Sequence, residues 1–291
     1  MGRKAMFAGQ FYESNEQLLD KQITECFEGK NGPGALPLNK RIKKLQAIIA
    51  PHAGYSFSGP CAAWAYKEIA EAEFADLYII LGPNHHNNSS AVSLQGYETP
   101  FGLARVDQEF ARSLLEKNPE LNVDEEAHME EHSIEVQIPF LQFATKDNIH
   151  SLKILPILVG EMDYNKLGLD LKETILESGK KVIIIVSSDF THYGHNYHYM
   201  PFSTDVKKNI YEMDRKAIGF IESLSPDGFL GFIDETHATI CGIYPIAVLL
   251  KTLKKSKIEL VQYYTSADLE EDLPESKQYK NSVSYAAIIF N

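Results

Sequence analysis

Continuous runs of apolar residues recur along the chain and predict buried β-strands. The clearest run is VIIIV at residues 182–186, and LQAIIA at 45–50 and LYIIL at 77–81 resemble it. Apolar runs without polar alternation are typical of strands that are covered on both faces of a sheet. Three further runs predict additional strands, at residues 151–159, 258–264 and 283–290.

Segments with the apolar spacing of helices alternate with these runs. They lie at residues 15–27, 60–70, 164–178 and 243–253. The last of them carries Pro245 near its first turn, a position that helices tolerate because the missing N–H has no partner there. Alternating strands and helices predict an α/β protein with a three-layer α/β/α arrangement. No break in composition divides the chain, so we predict one domain over residues 1–291.

Proline and glycine mark the predicted interruptions. Residues 29–40 hold three glycines and two prolines and therefore predict a loop. The polar residues 269–281 predict a second surface loop. Pro156 lies inside the run at 151–159 and predicts an edge strand or a bulge, because proline has no N–H to donate to a neighbouring strand.

Composition and charge restrict the class of protein further. The 291 residues are 44% hydrophobic, enough apolar material for a sizeable core. A net charge of −12 argues against binding to nucleic acid. The three cysteines are odd in number and far apart, which argues against a disulfide framework and predicts a cytoplasmic protein. No apolar run reaches the roughly 18 residues that a membrane span needs, so we expect no membrane association.

Histidines follow the three clearest strand predictions. His52 follows the run at 45–50, and His85 and His86 follow the run at 77–81. Asp189 and His192 follow the run at 182–186. Ligands bind at the carboxyl ends of the strands in open α/β sheets, so we expect these residues to share a site. Asp189 and His192 are predicted to act as general acid and base, or to hydrogen-bond other residues of the site.

Cys241 supplies a further candidate ligand. It lies just before the predicted helix at residues 243–253, where the positive end of the helix dipole would favour its thiolate. Two neutral imidazoles and a thiolate form a three-ligand metal set with an open position for water or substrate. His52 and His85 are the first choices as imidazole ligands, although the residue pattern alone allows His86 in place of His85.

Residues 128–132, HMEEH, offer a competing interpretation. They match H-x-x-E-H, an inverted zinc-peptidase motif whose two histidines lie one helical turn apart. A peptidase would also need a distant acidic ligand that the sequence does not identify, and a charged, solvated helix start gives the same pattern. His132 and Glu135 are nevertheless predicted to line the site, because the apolar residues that follow carry this segment into the core.

Six blocks of sequence resemble the Memo family. In chain order they are IIAPHAGYSFSG, ILGPNHH, EEHSIEVQIPFL, VSSDFTHYG, ATICGIYPI and NSVSYAA, and the opening AGQFYES is similar as well. They occur in the family's order and span most of the chain. The family is similar in fold to the class III extradiol dioxygenases, which are non-haem iron enzymes. The resemblance therefore implies an α/β/α domain with a central mixed, largely parallel sheet and a metal site.

The resemblance also implies a ligand set. In Memo proteins the ligands are the histidine of PHAGY, the first histidine of the GPxHH block and the cysteine of TICG, which correspond to His52, His85 and Cys241. The aspartate and histidine of SSDFxH, here Asp189 and His192, line the site. Three further residues from the matching blocks are expected to line it: Tyr55, His86 and Phe11.

The function implied is that of a redox enzyme with iron or copper that acts on an unidentified small molecule. The dioxygenases have a carboxylate where Memo proteins have cysteine, and a thiolate is softer and more easily oxidised, so ring cleavage is not carried over. Two alternatives stay open: a non-catalytic metal- or peptide-binding module that works through partner proteins, and a zinc-dependent hydrolase that uses a metal-bound water.

Partners are implied by the same resemblance. In archaea and bacteria the genes of such proteins neighbour those of Ammecr-type and radical-SAM proteins, the AmmeMemoRadiSam association, which implies a functional link. The human member binds phosphotyrosine peptides across the site. The tryptophan near its N-terminus corresponds here to Phe11, so that partner is not carried over.

Overall fold

An eleven-stranded β-sheet organises the computed structural model, which describes residues 2–38, 41–270 and 279–291. Its strands are β1 (Ala47–Ala50), β2 (Leu77–Pro83), β3 (Ala91–Val92), β4 (Tyr97–Thr99), β5 (Gly102–Val106), β6 (Asn122–Val123), β7 (Lys153–Val159), β8 (Val182–Ser187), β9 (His192–Gly194), β10 (Ile258–Thr265) and β11 (Asn281–Phe290). Nine α-helices lie within the same described residues: α1 (Glu16–Glu28), α2 (Tyr55–Glu71), α3 (Gln108–Lys117), α4 (Glu125–Glu130), α5 (Gln137–Ala144), α6 (Tyr164–Ser178), α7 (Val206–Glu222), α8 (Pro226–Thr236) and α9 (Ile243–Thr252).

The sheet is mixed and largely parallel at its centre. The strand order is β10-β11-β1-β8-β2-β7-β3-β6, and the neighbours β1, β8, β2 and β7 are all parallel. Strand β11 runs antiparallel to both β1 and β10. The helices form two packed groups, α2 with α1 and α5, and α9 with α6 and α8. These features confirm the predicted three-layer α/β/α class.

The central strands are buried along their length, as their apolar runs predicted. Every residue of β1 and β2 is buried, and only Lys153 of β7 is exposed. Since the side chains of a strand alternate between the two faces, burial at every position requires cover on both. The predicted helices at 15–27 and 164–178 are confirmed as α1 and α6.

Pro156 lies in an interior strand, so the prediction of an edge strand is wrong. Strand β7 pairs with β2 on one side, where Pro156 lies opposite Ile80. On its other side β7 pairs first with β5, at Lys153 and Ile154, and then with β3, at Ile157 and Leu158. The carbonyl of Pro156 accepts from the Ser93 amide at 3.3 Å on that side. The N–H that Pro156 lacks would point to the place where β7 passes from β5 to β3. Its absence therefore interrupts neither the pairing with β5 nor the pairing with β3.

The predicted loops can be compared with the structure only in part. Within residues 29–38 the described backbone forms no helix or strand, whereas residues 39 and 40 lie outside the described residues. The second predicted loop, residues 269–281, begins where a short 3-10 helix, Ser266–Leu269, ends, and its residues 271–278 lie outside the description. None of the helices described is long and apolar enough to cross a membrane.

Candidate metal centre

Three neighbouring parallel strands deliver side chains to one edge of the sheet. His52 lies two residues beyond the end of β1, Asp189 two residues beyond β8, and His85 two residues beyond β2. Because β1 pairs with β8 and β8 pairs with β2, these equivalent positions are adjacent in space. The rings of His52 and His85 lie 5.2 Å apart between centroids, edge to face. The structure thus brings together His52, His85 and Asp189, three of the residues that the strand ends predicted.

Cys241 reaches the same point from the loop that precedes α9. The donor atoms of His52, His85 and Cys241 all lie within 4.8 Å of one another. The Cys241 amide donates to the carbonyl of Asp189 at 3.2 Å, and the next amide, that of Gly242, donates to Ser188 Oγ at 2.9 Å. These two bonds tie the cysteine loop to the end of β8.

Hydrogen bonds fix the tautomer of His52. Its Nδ1 lies 3.0 Å from Ser187 Oγ, which donates its only proton to the carbonyl of Ser133 at 2.6 Å and accepts from Gln137 Nε2 at 2.8 Å. His52 Nδ1 must therefore donate, which leaves Nε2 with a free lone pair. Burial, followed by the nearby His85 and other histidines, holds the pKa of His52 well below its usual value, so the ring is neutral.

Glu131 holds His85 in a corresponding way. Its Oε1 lies 3.0 Å from His85 Nδ1, and its Oε2 accepts from the backbone amide of His85 at 2.6 Å. The Ser133 amide also donates to Oε1, at 2.8 Å. Burial would raise the pKa of Glu131, but the hydrogen bonds and charge of His85 outweigh it and lower the pKa to about 2. An ionised carboxylate only accepts, so His85 Nδ1 donates and Nε2 is free.

His192 faces Cys241. Its Nδ1 lies 2.9 Å from the carbonyl of Phe190 and 3.1 Å from that of Thr239, so this nitrogen carries a proton. Its Nε2 lies 3.8 Å from Cys241 Sγ. Burial, and then the negative charges of Asp189 and Glu131, raise the pKa of the Cys241 thiol. The expectation that the helix dipole favours the thiolate is wrong for the metal-free protein, because burial and carboxylates dominate.

Asp189 lies against His52. Its Oδ1 accepts from the His52 amide at 2.8 Å, and its Oδ2 lies 4.0 Å from His52 Nε2. Burial raises the pKa of Asp189, while the charge of His192 and the amide of His52 oppose that shift. The carboxyl group is therefore enclosed beside the candidate donor atoms and lines the pocket described next.

A pocket of about 690 Å³ opens over these residues. His132 forms part of its wall, with its ring stacked on that of His85 at 4.8 Å and tilted against Phe11 at 4.7 Å. Other aromatic walls come from Phe57, Tyr197 and Tyr285. Among the described residues that line it there is no lysine or arginine. This volume is typical of sites for small molecules.

Three residues that were predicted to line the site do not line this pocket. His86 is exposed and its Nε2 donates to the carbonyl of Glu130 at 2.6 Å, so its ring is held outside. Tyr55 is buried, and its hydroxyl donates to the carbonyl of Val136 at 2.6 Å. Glu135 is also buried and binds the N-terminal segment instead.

The N-terminal segment is fastened by Glu135. The amide of Phe7 and the hydroxyl of Tyr12 each donate to Glu135 Oε1 at 2.8 Å, and Arg3 forms an ion pair with Oε2. The carbonyl of Phe11 in turn accepts from the amide of Tyr55 at 2.8 Å. Glu135 therefore acts on the site indirectly, by holding the segment that carries Phe11.

The H-x-x-E-H motif does not form a peptidase site. Helix α4 ends at Glu130, so His128 and His132 do not share a helical face. His128 is buried with both ring nitrogens engaged: Nε2 donates to the carbonyl of Ala91 at 3.0 Å, and Nδ1 accepts from the hydroxyl of Tyr97 at 2.7 Å. The motif did contain a signal that the sequence analysis missed, because its glutamate is the partner of His85.

Comparisons with known proteins agree with these observations. The family model described as Memo-like protein matches residues 3–289. A MEMO1 family protein of Methanopyrus kandleri is 37% identical over 100% of this chain and 99% of its own, and one of Methanothermobacter thermautotrophicus is 36% identical over 94% and 96%. The crystal structure of an uncharacterized protein from Escherichia coli K12 covers 85% of this chain and 100% of its own with a TM-score of 0.56. At 12% identity it supports the fold alone. The chain belongs to the Memo-like protein family.

Proposed function

We propose that this protein is a redox enzyme that binds one iron or copper ion on His52, His85 and Cys241 and acts there on a small molecule. The observation that carries the proposal is the convergence of three donor atoms, one nitrogen from each imidazole and one sulfur, within 4.8 Å. The hydrogen bonds of Ser187 and Glu131 support it, because both leave the ligating nitrogen free.

The donor set fits a transition-metal ion. Three ligands with bonds of about 2.1 Å to nitrogen and 2.3 Å to sulfur lie about 3.4–3.8 Å from one another, so side-chain shifts of at most about 1 Å bring these donor atoms onto one ion. Histidine and thiolate ligands suit copper, iron and zinc better than magnesium or calcium. When bound, iron or copper would supply one-electron chemistry at an open coordination position.

The protein's own residues would bind the substrate and move protons. His192 Nε2 lies 3.8 Å from Cys241 Sγ, so it would accept the thiol proton when the cysteine becomes a ligand. Because His192 lines the pocket, it would exchange that proton with a bound molecule. Aromatic walls would exclude water from the donor atoms and contact the flat parts of the substrate.

Metal content tests the proposal directly. We would purify the untagged protein without oxygen and measure bound metals by mass spectrometry. Cys241→Ala should lose most of the metal, whereas Cys61→Ala, at a buried cysteine that does not line the pocket, should retain it. His85→Ala and His86→Ala form a second matched pair, since the two rings are adjacent in sequence and only His85 lines the pocket.

The outcomes separate the proposed function from its alternatives. Iron or copper that depends on Cys241 and His85, together with metal-dependent turnover of a small molecule, is the expected result. Zinc as the sole metal would overturn the redox assignment and favour a hydrolase with Asp189 or His192 as base. If no metal binds to the wild type, the enzyme proposal fails and a binding module becomes the better description.

A further inference from the structure

We propose that Glu131 is a positioning residue that sets the tautomer and orientation of His85 and thereby the affinity of the centre for its metal. This inference rests on the proposed function, in which His85 is a ligand. Glu131 belongs to the HMEEH segment, whose interpretation as a peptidase motif the structure contradicts. The carboxylate has no place in the ligand set, yet its side chain is fully buried beside it.

Both carboxylate oxygens of Glu131 contact His85. One carboxylate oxygen is 3.0 Å from the Nδ1 atom of the ring, and the other accepts from the backbone amide of the same residue at 2.6 Å. The backbone amide and the ring of His85 are therefore both held by the Glu131 side chain. The Ser133 amide donates at 2.8 Å to the same oxygen that faces the ring, and Nδ1 of His132 lies 3.2 Å from that oxygen. With His85 Nδ1 donating to Glu131, only its Nε2 remains to bind a metal.

The two imidazole ligands differ in this respect. The partner of His52 is the neutral hydroxyl of Ser187, whereas the partner of His85 is a carboxylate. His85 also needs more support, because 31% of its side chain is exposed whereas His52 is buried. A carboxylate behind a ligating histidine makes the ring more basic and restricts its rotation, and both effects strengthen the metal bond.

A purely structural role for Glu131 would be to fasten the loop after β2 to the segment after α4. Glu131→Gln separates the two roles, because the amide oxygen can still accept a backbone N–H while the amide nitrogen can only donate. If that nitrogen faces His85 Nδ1, the ring must turn its lone pair toward the glutamine and protonate Nε2 instead.

Nitrogen NMR of the histidine side chains in the metal-free protein is the first test. In the wild type we expect His85, assigned with His85→Gln, to be protonated on Nδ1 and free on Nε2. In Glu131→Gln we expect a mixture or a reversal of these tautomers. A wild-type His85 that carries its proton on Nε2 would overturn the proposal without any variant, so the test survives if Glu131→Gln does not fold.

Titration of metal-free protein with Co(II) is the second test, monitored by the absorption of the cobalt–thiolate bond. Glu131→Gln should bind Co(II) roughly 10–100-fold more weakly than the wild type. Glu130→Gln is the matched control, since Glu130 is the exposed neighbour of Glu131, and should bind as the wild type does. Equal affinity in Glu131→Gln and wild type would overturn this inference alone, whereas absence of binding in the wild type would overturn the proposed function.

Discussion

Gly242 is the single residue on which the position of Cys241 depends most directly. Its φ of −87° is ordinary, so space rather than backbone conformation requires glycine here. A Cβ at this position would lie 2.5 Å from Ser188 Cβ and 2.6 Å from Ser188 Oγ. The cysteine loop could not then approach the end of β8 as closely. The hydrogen bond from the Gly242 amide to Ser188 Oγ would be strained.

We therefore expect Gly242→Ala to lower the free energy of unfolding by about 1–3 kcal/mol, as overpacking of a tight contact does. Gly219→Ala in α7 is the control, because a Cβ there meets open space. That exposed helical position should instead gain up to about 1 kcal/mol. Denaturant unfolding of metal-free protein measures both, and equal effects of the two substitutions would contradict the steric argument.

His128 makes a separate contribution that depends on pH. Burial, with the Arg3 charge acting in the same direction, lowers the pKa of His128 to about 4, although its bond to Ala91 opposes the shift. In the unfolded chain the pKa returns to about 6.5. Between these values the unfolded state binds a proton that the folded state does not. The stability from this residue is therefore present above pH 6.5 and is lost as the pH falls toward 4.

We expect the decrease in unfolding free energy over that pH range to be smaller in His128→Gln than in wild type, by about 3 kcal/mol for a shift of this size. The exposed His150 supplies the control, and His150→Gln should follow the wild type. Denaturant unfolding of metal-free protein at several pH values gives the comparison. Parallel pH profiles for wild type and His128→Gln would show that this histidine is not buried in its neutral form.

Adjacent residues show how far the sequence predicts the site. His52 and His85 were predictable because a buried strand ends just before each of them. The pattern did not distinguish His85 from His86, because that choice depends on how the backbone turns after β2. The resemblance supplied the choice of His85, and the contact with Glu131 explains it. Glu131 was missed as a partner of His85 because its contact joins two loops that are 46 residues apart in the sequence.

At the scale of elements, the N-terminal segment from Arg3 to Tyr12, here called the strap, lies along one side of the pocket. Glu135 lies at the start of the stretch that leads into α5 and receives donors from Arg3, Phe7 and Tyr12. The strap carries Phe11 to the pocket wall. An ion pair and hydrogen bonds therefore attach the strap to the stretch before α5. The spacing of apolar residues does not predict this contact, because it says nothing about which segments meet.

Glu135→Gln should loosen this strap. Hydrogen bonds to a charged group contribute about 1.5–3 kcal/mol, so the amides of Met6 and Phe7, which donate to Glu135, should exchange with solvent roughly 10–100-fold faster. Amides of β1 and β8 should keep their protection. Glu130→Gln serves again as the exposed control. Unchanged exchange at Met6 and Phe7 in Glu135→Gln would contradict the role assigned to this carboxylate.

Short elements are the part of the fold that the sequence did not predict. Strands β3, β4 and β6 have two or three residues each, too few for alternation or a continuous apolar run to be recognised. They form because pairing satisfies their backbone groups: β3 pairs with β7, β6 with β3, and β4 with β5. The long central strands and α6, by contrast, carry enough residues for the pattern to define them.

At the scale of the whole molecule, the central strands and the helices beside them follow from the hydropathy pattern. Uninterrupted apolar strands require two covering layers, and this requirement determines the α/β/α class before any pairing is known. Strand order does not follow from it, since β8 pairs between β1 and β2 although it comes much later in the chain. That order brings the three site-bearing loops together.

The route by which Cys241 arrives has a consequence for the whole chain. His52 and His85 belong to loops of the first third of the sequence, while Cys241 stands before α9, which packs on β2 and β8. An ion held by all three would cross-link distant parts of the chain, and it would bind the folded state alone. The free energy of unfolding of the loaded protein would then rise with the logarithm of the free metal concentration. In cells short of that metal, more of the protein would be unfolded at any time, and proteases would degrade it sooner.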